Sequence, residues 1–432
     1  MRKYARTMVG IGLCLLLFIS WVVVTTSKST AERQLELISQ ALEMIESGVY
    51  IRAVPLLEEA VELGAVHTGI AENELKKVYL YLIESRGFSR KYTNLLEKQM
   101  GQKDAAPDVF IEAANFYIDN SKLQEALAVL RNGISKTGAA ELIELYENSR
   151  YVYRLNRNAY EDVTAIFRGT IQVLQNGKWG VAEPGGAIII PCQYDKISNF
   201  YLDTAIVRNG DIIYAVDKNN NRVALAQSDV QDFGNFADGR IPLLINGKWQ
   251  RATGDFEIGS YMFEEIGMYS NNVAAVKENG KWGVIDRSTN WILPAQYDEI
   301  IQDELGRCYA QNAVFTRLND SVYLYINGTR LDEVFDDARP FEDDGYAAVK
   351  KDGKWGFIDA TGILRIPYLF DDARSFGQHL AAVKHGEYWG YINVYGNIVI
   401  DVKFYDAKSF SGGSAPVLTD RGWQFISLLE YT

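Results

Sequence analysis

Acid–base or nucleophilic catalysis needs histidines, cysteines and carboxylates that converge, and this chain offers few. Its three histidines are His67, His379 and His385. No Ser/His/Asp order, His-Glu-x-x-His spacing or phosphate loop can be assembled from them, so His379 and His385 are read as loop residues. Of three cysteines, Cys14 lies in an apolar N-terminal run, and neither Cys192 nor Cys308 has a Cys-x-x-Cys partner. A thiolate metal site or redox dithiol is therefore unsupported. A Cys192–Cys308 bridge is open to a chain outside the cell, and two buried free thiols are the simpler reading. Asp217-Lys218-Asn219-Asn220-Asn221 begins like a calcium loop but lacks the central Gly and closing Glu, so it is read as a turn. The acidic run Glu342-Asp343-Asp344, with Asp336-Asp337, could hold a divalent cation weakly and is expected to solvate a loop. No catalytic, cofactor-binding or metal-ligating residue is predicted.

The elements around these residues are far more informative. Lys350-Lys351-Asp352-Gly353-Lys354-Trp355-Gly356-Phe357-Ile358-Asp359 recurs as Lys277-Glu278-Asn279-Gly280-Lys281-Trp282-Gly283-Val284-Ile285-Asp286. It recurs again around Trp179, Trp249 and Trp389. Aligned on that slot, Trp179, Ile213, Trp249, Trp282, Tyr323, Trp355, Trp389 and Trp423 mark eight units, 32 to 41 residues apart. Asn-Gly or Asp-Gly stands before the Lys-Trp pair four times, at Asn176, Asn246, Asn279 and Asp352. That dipeptide predicts a type I′ hairpin, because both central residues need positive φ. A third strand is expected to stop at Pro191, Pro294 and Pro367. An aromatic–acidic–aromatic signature follows, as in Phe370-Asp371-Asp372-Ala373…Phe376.

These features resemble the bacterial WG-repeat family, named for its Trp-Gly pair, over roughly residues 155–432. The resemblance implies an all-β tandem-repeat domain, mostly without assigned activity and often tethered to other modules. Departures are Gln250 and Gln424 in place of Gly, and two units without Trp. Regular recurrence at one slot predicts that each Trp fills a core between units, with the next Gly leaving room for it. A closed propeller hides its edges, whereas an open β-solenoid suits the unequal spacing equally well.

Residues 30–150 read as helices, with apolar residues three and four apart, as in Leu35, Ile38, Leu42 and Ile45. Small residues at crossing points, such as Ala53 and Ala60 and then Ala126, make the region resemble tetratricopeptide-like helical hairpins. Such arrays imply a concave surface for peptides, while a packed bundle acting as a spacer remains equally open.

Ahead of them, Arg2, Lys3 and Arg6 precede an apolar run at 9–26, close to the ~20 residues that cross a bilayer. The basic bias predicts residues 1–8 in the cytoplasm, an uncleaved single-pass anchor, and the bulk of the chain outside. A net charge of −12 argues against nucleic acid. The expected fold class is thus multi-domain: a transmembrane helix at 9–26, a helical solenoid at 30–150, and an eight-unit β domain at 151–432. The expected function is a non-enzymatic interaction or scaffold protein at the bacterial cell envelope, with protein partners. The alternative is a cell-wall or glycan-binding module.

Overall fold

A computed structural model describes residues 29–429, apart from 86, 226–228, 311 and 343. Contacts divide the chain between Tyr146 and Glu147 into two compact units. The first is helical: α1 (29–46), α2 (Tyr50–Glu62), α3 (Thr68–Tyr81), α4 (Phe88–Met100), α5 (Pro107–Asp119) and α6 (Leu123–Thr137), with α7 (Ala140–Ser149) running across the boundary. Ala41, Ala53, Leu57, Leu75, Phe110, Ala113 and Leu127 fill its core. Their spacing is three or four residues within a helix, but in α1 the buried face is Leu37, Ile38 and Ala41, and Leu35 and Leu42 of the predicted Leu35, Ile38, Leu42 and Ile45 face are exposed. Polar clamps join the helices: Glu58 of α2 accepts from Tyr79 of α3 and Lys91 of α4, and Glu112 of α5 accepts from Tyr92 and Lys76. Helix α6 runs through Gly133 to a left-handed Gly138. Gly133 is needed inside the helix, where a Cβ would lie 2.8 Å from the Phe110 ring.

The second unit is an eight-bladed β-propeller, each blade one four-stranded antiparallel sheet. Blades 1 to 7 span 162–194, 196–223, 230–263, 265–297, 299–335, 337–370 and 372–404. Blade 8 takes three strands from 406–428 and its outermost from the start of the unit, Tyr153–Leu155, paired with Ile426–Leu428. Joining the ends of the repeat region within one sheet closes the ring, which overturns the open-solenoid alternative. The ring is sealed further by Asn156, whose Oδ1 accepts from the Phe425 N–H, and by a bridge between Tyr160 and Trp423.

The hairpin prediction holds at its physical root. Asn176-Gly177, Asn246-Gly247, Asn279-Gly280 and Asp352-Gly353 all have positive φ at both residues. The third-strand prediction needs correction: the strands containing Pro191, Pro294 and Pro367 run on to Tyr194, Tyr297 and Phe370. Proline is tolerated because this is the outermost strand of its blade, an edge where the missing N–H has no ladder partner to lose.

The Gly of the Trp-Gly pair also has a different reason from the one expected. A Cβ on Gly180, Gly356 or Gly390 would meet the carbonyl oxygen of Ile190, Ile366 or Ile400 at 2.5, 2.8 or 2.6 Å. The outer strand bulges there and presses its backbone against the third strand, as the register shifts at each of these pairings show. Gln424 replaces Gly where the outer strand is the N-terminal one, whose pairing has no bulge. Its Nε2 donates to the Asn156 carbonyl instead.

The remaining motif residues form a staple between blades. Lys178, Lys281 and Lys354 donate to Asp195, Asp298 and Asp371 at 2.5, 2.6 and 2.5 Å. Each aspartate sits 17 residues on, at the entry to the next blade. Each also accepts a backbone N–H from that blade's hairpin turn, at Gly210, Asn319 and Gly386. One carboxylate thus ties the turns of neighbouring blades together. Lys178 and its like, then the turn N–H, hold these carboxyls below their ordinary range. The aspartate ending the third strand does a local job: Asp217, Asp286 and Asp359 accept from the N–H groups two and four residues on. The Asp217–Asn221 stretch is therefore a turn, as read.

The register corrects one assignment. In blade 5, Val322 pairs with Arg317 and Phe335, as Trp355 pairs with Lys350 and Phe370 in blade 6. Val322, fully buried, holds the Trp slot, and Tyr323 points the other way. The Asn319-Asp320 turn, with φ of +51° and +63°, was the overlooked sequence signal.

The expected fold class is corrected as a whole to a helical region followed by an eight-bladed propeller. The anchor at 9–26 lies outside the described residues. Among those that are described, no helix is long and apolar enough to cross a membrane.

Candidate functional site

Residues that follow the first strand in five of the blades meet in a central channel. Ala165 and Ile166 of blade 1, Gln302 to Arg307 of blade 5, Arg339 to Glu342 of blade 6, Arg374 and Ser375 of blade 7, and Ser409 to Ser411 of blade 8 line one cavity of about 220 Å³. The first strand of a blade is therefore its innermost, and the slot just after it, held by Arg339 in blade 6 and Arg374 in blade 7, lines the channel.

That slot differs between blades 6 to 8 and blades 3 and 4. In blades 6, 7 and 8 it holds Arg339, Arg374 and Lys408, whose cations sit 4.6, 5.1 and 5.0 Å from the rings of Trp355, Trp389 and Trp423. A cation over an indole face is attracted by the ring quadrupole, and here it also closes the Trp from the channel. These three Trp are buried at 3, 5 and 7% exposure. The cations are themselves tied down: Arg339 lies 3.5 Å from Asp372, Arg374 lies 3.0 Å from Asp406, and Lys408 pairs with Glu304. In blades 3 and 4 the slot holds Gly234 and Gly267. There Trp249 and Trp282 remain half-buried and line an open cavity of about 290 Å³ with Met268 and Leu305. The uniform Trp core expected from the repeat is thus correct for blades 6 to 8 and only partial in blades 1, 3 and 4.

The residues weighed for chemistry do not converge. His67 lies in the helical unit. His379, beside Asp344 at 3.8 Å, and His385 are both exposed on blade 7. Cys192, half-buried in blade 1, and Cys308, buried in blade 5, are unpaired. Burial, then Asp303, pushes the Cys308 thiol up to about 12, so it stays protonated at neutral pH. Within the acidic run, Asp344 accepts from the His379 N–H and Glu342 accepts from Ser409, while Asp343 lies outside the described residues. Among the described residues, no group of three His, Cys, Asp or Glu is placed to hold a metal ion. The channel split was missed from sequence. Its signal was present in the residue after Ala338, Ala373 and Ala407, basic in each case and Gly after Phe233 and Ile266.

Outside the channel, large apolar side chains stand exposed on outermost strands: Leu155, Ile188, Tyr261, Met262, Trp291, Val334, Leu364, Leu369 and Ile398. These strands also carry the unpaired backbone edge of each blade.

No curated protein matches the chain. Among solved structures, Hsv2 from Kluyveromyces lactis is 11% identical, with 62% of this chain and 97% of that one covered at a TM-score of 0.37. YCF48 from Cyanidioschyzon merolae is 11% identical over 65% and 99%, with a TM-score of 0.34. A eukaryotic initiation factor is 9% identical over 60% and 82%, with a TM-score of 0.40. Scores below 0.5 carry nothing over to this chain, and the ring is established by its own strand pairing. The WG containing repeat matches at 179–211, 260–282, 282–303, 334–355, 355–389 and 389–423. Most of these stretches start on the third strand of one blade and end within the next, so the repeating sequence is offset from the blade. Several repeats of the propeller thus match the WG containing repeat.

Proposed function

We propose that this is a non-enzymatic interaction protein of the bacterial cell envelope, whose repeats present surfaces to protein partners. The apolar run at 9–26 directs the chain to the membrane, and both folded units lie outside the cytoplasm. One observation carries the reading: seven of the eight outermost strands expose large apolar residues, Met262 and Leu369 at 59% each. Edge strands are usually blunted by charge or cover, because their free N–H and C=O groups template pairing. Apolar side chains on such an edge suit a partner segment that adds as a further strand. The test is photo-crosslinking from Met262 and Leu369, with the hairpin-tip Asn176 as control. Adducts to a defined envelope protein, lost on Met262→Asp or Leu369→Asp, support the reading; equal labelling from Asn176 refutes it.

The glycan-binding alternative is favoured by a narrower feature. Trp355, Trp389 and Trp423 are closed by their cations, but Trp249 and Trp282 face an open cavity wide enough for one sugar ring. Co-sedimentation with peptidoglycan that is lost on Trp282→Ala would select this reading over the first.

A further inference from the structure

Two departures from the repeat meet at the propeller channel. One is the row of bases in the inner slot of blades 6 to 8. The other is an insertion in blade 5, whose first and second strands are joined by residues 301–312. The other blades use six or seven residues there, as at 267–272 in blade 4 and 339–345 in blade 6.

The insertion is an ordered part of the channel wall. Asp303 Oδ1 accepts from the N–H groups of Leu305 and Arg307, and Arg307 Nε donates to Asp303 Oδ2 at 2.5 Å. On one side the Gly306 carbonyl accepts from the Met268 N–H of blade 4 at 2.9 Å; on the other, Glu304 pairs with Lys408 of blade 8. Blade 4 is shaped to receive it. A Cβ on Gly267 would press into Gln302 Oε1 and lie 2.7 Å from the Gly306 carbonyl oxygen. The slot is glycine there so that the insertion can reach from blade 4 to blade 8.

Between the insertion and blades 6 to 8 lies the cavity of about 220 Å³. It continues into a second of about 350 Å³, because Ile166, Arg307, Glu342 and Ser411 line both. Arg168 and Asn271, both exposed, put the second at the solvent. Pockets for drug-sized ligands hold about 300–1,000 Å³, so the inner cavity suits a single ring, and the outer one leaves room for whatever that ring is attached to.

The wall of the inner cavity selects by charge. Asp303, Glu304 and Glu342 stand against Arg307, Arg339 and Arg374, so its formal charge is balanced. Asp303 and Glu304 are engaged as above, Arg339 with Asp337 and Asp372, and Arg374 with Asp406, while Glu342 accepts from Ser409 Oγ at 2.8 Å. An ion or a zwitterion has to displace one of these partners and leave its charge uncompensated in the channel. A hydroxyl both donates and accepts, so it fits between a carboxylate and a guanidinium that stay paired. Arg374 spends Nε on the Ala407 carbonyl and Nη2 on Asp406, which keeps Nη1 as a donor. Ala165 and Pro340 add apolar wall for C–H groups.

We infer that the propeller channel is a binding site for a neutral polyhydroxylated ring, a hexopyranose, held between the blade 5 insertion and the Arg339–Arg374 wall with Glu342 accepting from its hydroxyls. The site is separate from the cavity beside Trp282, and it stands whichever partner the outermost strands take.

Saturation-transfer NMR on the full chain tests it, with D-glucose, D-galactose, D-mannose and N-acetylglucosamine as free rings and a β-1,4-linked N-acetylglucosamine tetramer as a chain. Alanine and acetate serve as zwitterion and anion controls. Saturable transfer from a ring or from the tetramer is expected, with none from the controls. Glu342→Gln should weaken it about tenfold by removing a charged acceptor. Ser411→Leu, which narrows the passage between the two cavities at an unchanged melting temperature, should weaken it at least as much, and Trp282→Ala should leave it unaltered. Transfer from a free ring assigns a soluble sugar as the source; transfer from the tetramer alone assigns the end of a glycan chain. No transfer from any sugar, equal transfer from alanine or acetate, or affinities that respond to Trp282→Ala and not to Glu342→Gln or Ser411→Leu overturns the site.

Discussion

Replacing Trp355 by Ala tests whether the channel cations and the Trp form one structural unit. The indole is 3% exposed, packs against Phe357 and Phe370, and has the Arg339 guanidinium 4.6 Å above it. Truncating a buried Trp costs about 3–5 kcal/mol through lost transfer energy and the cavity left behind. The cation–π contact contributes about 0.5–2 kcal/mol of that. Arg339 keeps its contacts with Asp372 and Asp337 at 3.5 and 3.7 Å, so it stays over the void and does not refill it. The comparison is Trp282, half-buried because Gly267 leaves it open, where Ala should cost about half as much. At ~2 °C per kcal/mol for a unit of this size, calorimetry of the propeller transition should show a drop of about 6–10 °C for Trp355→Ala and about 3–5 °C for Trp282→Ala. Adding Arg339→Met isolates the pair: it should cost about 0.5–2 kcal/mol more with Trp355 intact than in the Trp355→Ala background. Equal shifts for the two Trp variants, or full additivity with Arg339→Met, would refute the reasoning.

Gly356→Ala puts a Cβ 2.8 Å from the Ile366 carbonyl and should destabilise by about 1–3 kcal/mol in chemical denaturation. Asn156→Ala frees the Phe425 N–H within the closing blade, and a loss of about 1–3 kcal/mol, read as the propeller's denaturation midpoint, is expected. Acid should weaken the propeller through Asp359: burial alone would raise its pKa, but donors from Thr361, Arg365 and Ile363 outweigh it and bring it to about 2. Because the folded pKa is depressed, that stabilisation is full above the unfolded value of about 3.9 and lost as pH falls towards 2. Asp359→Asn should flatten the fall in melting temperature over that window.

How much of this could be read from sequence depended on whether the cause was local. Asn279-Gly280 needs only its own φ angles to make a hairpin, so the turns and the count of eight followed directly. The Trp-Gly glycine was misread because its cause is the backbone of a strand ten residues away, which bulges only once Ile366 and Phe370 have paired. Tyr323 was misassigned by matching aromatic for aromatic, when counting from the turn selects Val322. Closure was illegible for the same reason, since Tyr153–Leu155 finds its partner at the opposite end of the repeat region. The channel lay further off, because it is assembled from several blades by a ring that no single repeat encodes.

The staple explains why blades can lose so much else. Blade 2 lacks Trp, yet its entry residue Asp195 still takes Lys178 from blade 1 and the Gly210 N–H of its own turn. Blade 5 lacks Trp too, and Asp298 repeats the arrangement with Lys281 and the Asn319 N–H. At these seams, and at the Lys354–Asp371 one, register is thus held at the hairpin rim by a carboxylate, while each blade's core is filled by whatever apolar residue fits. Separating these tasks frees the inner slot and the outermost strand from the structural pattern. In those two places the copies differ, from Gly267 to Arg339 and from Leu369 to Lys403. A ring locked at its rim can carry a different surface on every blade, which is what an interaction protein built from repeats requires.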